Sequence, residues 1–378
     1  MSMYLDHAAT TPMRPGVWES MEPFANESFA NSSGSHQAAR RAKNALEEAR
    51  ERAAYLLGAQ PLEIVFTGGG TEADNLAVVG PALAGNRRGG VVTSAIEHEA
   101  VLESARFLSR LGCPATVVGV DRWGVISPEE IGDAVDQQTV LVSVMAANNE
   151  TGVIEPVAEV AAAARAANPA VAVHTDAVQS FISEEVDVNS LGVDLLSLAA
   201  HKFGGPKGVG LLYVRQGVNL EPVLHGGGQE LGRRSGTHNV MGAVGMVAAM
   251  EATVADRERF RRTVGTARDR FEARLKETFA DLEVNAPHHS RLVQHSHVRI
   301  PGIRNETALV RLDQADMAAS AASACQSGAA TVSHVLTAMG RSPDDARQCL
   351  RFSFGWPTVE ADGESAAALV VQTLQGLR

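Results

Sequence analysis

Two patterns of apolar residues alternate along this chain. Short uninterrupted apolar runs fall at 64–66, 90–94, 115–120, 140–145, 171–176, from 195 onward and at 209–214. Between most of them lie longer segments in which apolar positions return at about 3.6-residue spacing, the period of a helix buried on one face. Such segments begin near Pro15 and Gly16 (Val17, Met21, Phe24) and at 37–57 (Ala42, Ala45, Leu46, Ala49, Ala53, Leu56), the latter ending at Gly58. Others begin at Glu72 (Leu76, Val79) and span 99–111, 157–167 and 240–254, with one opened by the Ser127 cap. Strands alternating with helices predict an α/β domain whose mostly parallel sheet carries helices on both faces. The first fourteen residues read as irregular. Residues 256–279, RERFRRTVGTARDRFEARLKETF in their main part, read as a long solvated helix bridging to a second domain. From Val298 the pattern is that of a smaller α+β unit: a strand, a helix at 306–312, the small-residue segment 320–327, a helix from about Ser333, a strand at 350–354 and a last helix. The expected division is a large domain at 15–255 and a small domain made of 1–14 and 256–378.

Composition changes this picture little. The 378 residues suit about two domains, and the 45% hydrophobic and 20% charged content is that of an ordinary globular chain. The net charge of −11 argues against direct nucleic-acid binding, which needs a basic face. No run has the length or apolarity of a membrane span, and the charged start MSMYLDHAATTPMRP is not that of a signal peptide. Three cysteines, Cys113, Cys325 and Cys349, form no even disulfide framework and fit a reducing cytoplasm.

Candidate chemistry centres on 195–210, LLSLAAHKFGGPKGVG. Lys202 stands where an apolar strand enters a Gly/Pro turn. A desolvated lysine has a lowered pKa and becomes a nucleophile able to form a Schiff base. A lone lysine at a turn is more often a surface residue, so its neighbours must decide. Lys207, between Pro206 and Gly208, reads as a turn residue. At 63–79, EIVFTGGGTEADNLAVV, a strand, a glycine turn and a helix follow in the order that holds a phosphate on backbone N–H groups. Ligands of a parallel sheet bind at the C-terminal ends of its strands. Thr71, His98, Asn149, Asp176, Gln179, His201 and Lys202 all fall there. Taken singly each has a plain structural reading, as a cap, a turn or a core histidine. Together they form a phosphate cradle, a stacking imidazole, a buried acid and a nucleophilic lysine, which are the demands of pyridoxal 5′-phosphate. His288, His289 and His295 lack metal-ligand spacing and read as loop imidazoles, so no metal is expected.

The pieces FTGGGTEADN, AIEHEAV, ANNETG, HTDAVQ, HKFGGPKGVG, GGGQE with RSGT, and SACQSG followed by SHVLTAMG resemble the class V aminotransferases, and among them the cysteine desulfurases of the NifS/IscS type. The resemblance runs over nearly the whole chain, from YLDHAATT at the start to 350–353, LRFS. It implies fold type I of the PLP-dependent transferases and a homodimer. It implies that Lys202 carries the cofactor and moves a proton at the substrate Cα, that Asp176 pairs with the pyridinium nitrogen, and that Gln179 bonds the ring oxygen. His98 would stack on the ring. Gly70, Thr71 and His201 would bind the phosphate with Thr237 from a second subunit, and Asn149 and Arg351 would hold the substrate carboxylate. Cys325 would take sulfur from L-cysteine as a persulfide, for transfer to an acceptor protein in iron–sulfur assembly, tRNA thiolation or DNA sulfur modification. Cys113 and Cys349 read as small buried hydrophobes. The sequence departs from the resemblance at Ala199, where such enzymes often carry a phosphate-binding serine, at Ala30, Ser32 and Gly34 in the early loop, and in the segment after Arg311, LDQADMAASAAS. Two rival readings are a selenocysteine lyase or another class V aminotransferase, and a catalytically silent sulfur-transfer scaffold.

Overall fold

A computed structural model describes residues 3–85, 89–286, 289–321 and 332–377. Its centre is a seven-stranded sheet. In chain order the strands are β1 (Ile64–Thr67), β2 (Gly90–Ser94), β3 (Ala115–Val118), β4 (Thr139–Ser143), β5 (Ala172–Asp176), β6 (Leu195–Ala199) and β7 (Gly210–Val214). In space the order is β1-β7-β6-β5-β4-β2-β3. All neighbours pair in parallel except β7, which runs antiparallel to both β1 and β6. The mostly parallel α/β sheet is thus present as expected, and both faces of its central strands are buried. That explains why these strands read as continuous apolar runs and not as alternating ones.

The helices are α1 (Val17–Asn26), α2 (Gln37–Leu57), α3 (Gly70–Leu83), α4 (Glu99–Arg110), α5 (Pro128–Ala134), α6 (Val157–Ala167) and α7 (Val240–Thr278). Helix α2 ends at Gly58, whose φ of 70° closes the helix in the left-handed region that glycine tolerates. Helix α7 corrects the sequence reading. The expected helices at 240–254 and 256–279 are one helix of 39 residues. Its second half is not merely solvated: Phe260, Val264, Ala267, Phe271 and Leu275 bury one stripe against the helix Glu360–Leu374 and the small sheet.

That small sheet is antiparallel, in the order β10 (Cys349–Ser353), β9 (His295–Arg299), β8 (Glu283–Val284). His295, read from sequence as a loop imidazole, instead opens β9 and is fully buried; His288 lies outside the described residues. The N-terminus is also more ordered than expected. Met3–Tyr4 pairs in parallel with Met317–Ala318, and Asp6 bridges to Ser353 of β10. Residues 5–11 then run across to the large sheet, where Thr11 N donates to the His201 carbonyl at 3.1 Å. Among the described residues no helix is long and apolar enough to cross a membrane.

Candidate active site

A cavity of about 190 Å³ opens at the C-terminal ends of β1, β5 and β6. Gly70, Thr71, His98, Asn149, Asp176, Gln179, His201 and Lys202 line it, joined by Asp74, Met145, Val178 and Ala199. Eight of the sequence candidates therefore share one space.

One end of the cavity is built by the glycine turn from β1 into α3. Gly69 sits at φ 148° as the N-cap, a conformation that a Cβ would strain. The first N–H groups of α3 have no intrahelical acceptors, and the helix dipole favours an anion there. The turn is pressed against the sheet: a Cβ on Gly210 would lie 2.5 Å from Gly69 C and 2.7 Å from Gly69 O. One amide is already taken, since Gly68 N donates to Glu72 Oε2 at 2.8 Å, and Arg234 Nε holds the other oxygen of Glu72 at 2.7 Å. His201 sets Nδ1 3.2 Å from Thr10 Oγ1. Burial, then Lys202 and Lys207, push its imidazole down to about 4, so the ring is neutral and can donate only one proton. Ala199 presents a methyl to the same cavity; a serine hydroxyl is absent from that wall, as the sequence indicated.

The acid end is Asp176, 6% exposed at the end of β5. Its Oδ1 accepts from Val178 N at 2.8 Å. Burial pushes this carboxyl up from its ordinary value, against the pull of His98, the Val178 amide and Lys202. Asp74, which the sequence analysis missed, is buried beside it with Oδ1 lacking a hydrogen-bond partner. Burial and the Asp176 charge push Asp74 well above the usual carboxylate range, against a hydrogen bond from Ser197. Two buried acids side by side disfavour a second charge, so both carboxyls are pushed up. Beneath both lies a neutral imidazole: His174 bonds Ser143 Oγ at 2.8 Å and Ser197 Oγ at 3.0 Å, and burial holds it down to about 3. The signal for Asp74 was an acid on an otherwise apolar face, between buried Ala73 and Leu76.

His98 caps α4, its Nδ1 accepting from Ala100 N at 3.1 Å. The neutral ring must then carry its proton on Nε2. Burial and Lys202 favour that neutral form, while Asp176 opposes them. Lys202 Nζ donates to the carbonyls of Ala8 (2.6 Å) and Ala9 (3.0 Å), and Gln179 Nε2 also reaches the Ala8 carbonyl, at 2.9 Å.

Arg351 and Thr237 are not among the residues lining this cavity. The Arg351 guanidinium is 6% exposed, donating from Nη1 to the Asn149 carbonyl and from Nη2 to Asp6 Oδ1, both at 2.8 Å. Thr237 is exposed on the loop before α7. Cys325 lies outside the described residues. Cys113 and Cys349 are buried, and burial pushes the Cys349 thiol up to about 11, so Cys349 is an inert filler.

The cavity suits pyridoxal 5′-phosphate on its own chemistry. A buried carboxylate whose charge is penalised takes a protonated ring nitrogen as partner, and the α3 N-terminus takes the phosphate.

Comparison with known proteins agrees. The model of the family described as Aminotransferase class-V matches residues 3–364. A protein named cysteine desulfurase IscS from Dictyoglomus turgidum is 40% identical over 377 residues, covering 100% of this chain and 95% of its own. A solved NifS-like protein superposes with a TM-score of 0.93 at 36% identity over the full length of both chains. A structure described as SspA in complex with cysteine has a TM-score of 0.81 at 35% identity, covering 93% of this chain and 99% of that one. The chain belongs to the class V aminotransferase family, whose enzymes of this fold use pyridoxal 5′-phosphate. Within that family it is a cysteine desulfurase of the NifS/IscS type.

Proposed function

We propose that this enzyme takes sulfur from L-cysteine onto Cys325 as a persulfide, releases L-alanine, and passes the sulfur to an acceptor protein. The observation that carries the reading is the convergence of Gly70, Thr71, His98, Asn149, Asp176, Gln179, His201 and Lys202 on one cavity. Pyridoxal 5′-phosphate, when bound, supplies the electron sink that loosens the bonds around the substrate Cα and Cβ.

The chain's own residues do the rest. Lys202 Nζ anchors the cofactor and then moves the Cα proton. Asp176 keeps the proton on the ring nitrogen, with its Oδ1 held by the Val178 amide. Gln179 donates to the ring oxygen, and His98 covers the ring face with its Nε2 proton available. Gly70, Thr71 and His201 hold the phosphate with the partner subunit's Thr237, which makes the working unit a homodimer. Asn149 and Arg351 orient the substrate carboxylate. The Cys325 thiolate attacks the substrate sulfur: an S–S bond forms as the Cβ–S bond breaks, and the carbon skeleton is protonated to alanine. The domains follow the division at 15–255 against 1–14 and 256–378, with α7 spanning the boundary. The site of action is the cytoplasm. The related SspA solved with cysteine supports the substrate class.

The test compares Lys202→Ala with Cys325→Ala in L-cysteine turnover. Lys202→Ala abolishes both alanine and sulfide formation. Cys325→Ala keeps the visible absorbance of bound cofactor and loses sulfur release. Sulfide formation surviving in Cys325→Ala would overturn the persulfide role. A selenocysteine lyase or an aminotransferase would retain its own turnover in that variant, and a silent scaffold would bind no cofactor at all.

A further inference from the structure

Arg351 is an almost fully buried cation, and its surroundings supply little charge to balance it. On its own face of the small sheet, His297 lies directly opposite and His295 lies opposite Ser353. Both imidazoles are neutral: burial, then Arg351 itself, holds His297 down to about 3 and His295 well below its ordinary value. Glu150, a carboxylate that also feels Arg351, is bonded to Ser333 Oγ. Asp6 is the carboxylate in direct contact, at 2.8 Å from Nη2.

Two roles fit such a contact. Asp6 is either a stand-in for the substrate carboxylate, which must swing away, or a brace that stays. The backbone decides between them. Ser353 N donates to Leu5 O at 2.7 Å and His7 N to Ser353 O at 3.3 Å, so Asp6 is clamped from both sides to β10. Ala8 N adds a bond to Ser353 Oγ at 2.9 Å. Asp6 and Arg351 therefore sit two positions apart on one ladder and move together. The same segment also accepts from Gln179 and Lys202 at the Ala8 carbonyl, tying the small sheet to the cofactor cavity.

We propose that Asp6 is a positioning residue that fixes the plane of the Arg351 guanidinium for the substrate's α-carboxylate. With Nη1 on the Asn149 carbonyl and Nη2 on Asp6, Nε is left buried and unpartnered, and it is free to form a two-pronged bond with a carboxylate alongside a remaining Nη proton. This inference rests on the proposed role of Arg351.

The experiment measures kcat and KM for L-cysteine in the holoenzyme and in Asp6→Ala, Asp6→Asn and Arg351→Lys. It also measures the affinity for cysteamine, which lacks the α-carboxylate, from the change in cofactor absorbance. Loss of one charge-assisted bond predicts that Asp6→Ala raises KM about tenfold with kcat little changed. Asp6→Asn, which keeps an oxygen for Nη2, falls between wild type and Asp6→Ala. Cysteamine affinity is the same in all three. An unchanged or lowered KM in Asp6→Ala overturns the brace, the lowered value pointing to a competitor. Equal losses for cysteine and cysteamine overturn it too, since they mark a general disturbance. Should Asp6→Ala not fold, a wild-type KM in Asp6→Asn refutes the proposal. An unchanged KM in Arg351→Lys would instead refute the role of Arg351.

Discussion

The loop that carries Thr237 is held by one buried ion pair, and breaking it gives a quantitative test. Arg50 on α2 donates to both oxygens of Glu230, from Nη1 at 2.7 Å and from Nη2 at 3.0 Å. Side-chain exposures of 8% and 1% leave little water to replace either partner. Phe66 N on β1 (3.2 Å) and His238 Nε2 (3.3 Å) share the same carboxylate. Glu230 and Leu231 stand at φ 51° and 59°, left-handed values for side-chain-bearing residues that persist only when their surroundings impose them. Glu230→Gln takes the buried two-pronged partner from Arg50 and leaves the half-exposed Glu47, 3.2 Å from Nε, to balance its charge, which costs about 3 kcal/mol. Arg50→Met costs a similar amount. The double variant removes both charges, so the coupling from a mutant cycle is about 2–3 kcal/mol. The assay is urea unfolding, read as a lower midpoint at unchanged slope. Burial alone would raise Glu230, but the bonds from His238 and Arg50 outweigh it and hold the carboxyl below its usual range. A depressed folded value means the stabilisation is present above the unfolded pKa and is lost as pH falls through the folded one, so the coupling fades in acid. Purely additive costs, or a Glu230→Gln loss within about 0.5 kcal/mol of zero, would refute the reasoning.

Two further outcomes follow from the same geometry. Gly210→Ala drives a methyl into the Gly69 backbone and displaces the phosphate turn, so cofactor dissociation measured by absorbance dilution is faster, while Gly208→Ala, with open space around it but φ 76°, weakens the fold without that selective loss. Glu97 is fully buried, and burial pushes it up to about 8. A raised folded value means its contribution is full below the unfolded pKa of about 4.3 and is lost as pH rises toward 8, so Glu97→Gln flattens the decline of stability over that window in thermal melts.

Much of this was legible in the residues because local pattern and global fold agree. The buried strands are short apolar runs, and the ligand-facing residues are the polar ones that end them, so Thr71, His98, Asp176 and Lys202 announced themselves by position. Helix α7 was misread because its charge density rises sharply at Asp256, which hid the stripe from Phe260 to Leu275. His295 was misplaced because a lone imidazole carries no strand signal, and its burial depends on pairing with Ser353 far along the chain. The engagement of Arg351 by Asp6 was invisible for the same reason, since 345 positions separate the two. Asp74 escaped notice because its motif reads as a phosphate cradle, and only the fold sets its carboxyl beside Asp176.

The central claim is that this cavity delivers the sulfur of L-cysteine to Cys325. Peptide mass spectrometry after a single turnover of the holoenzyme with L-cysteine, without reductant, tests it most directly. The account predicts one added sulfur atom on the Cys325 peptide, none on the Cys113 or Cys349 peptides, and an equal amount of L-alanine. Alanine formed without any added sulfur on Cys325, or sulfur found on a buried cysteine instead, would contradict it.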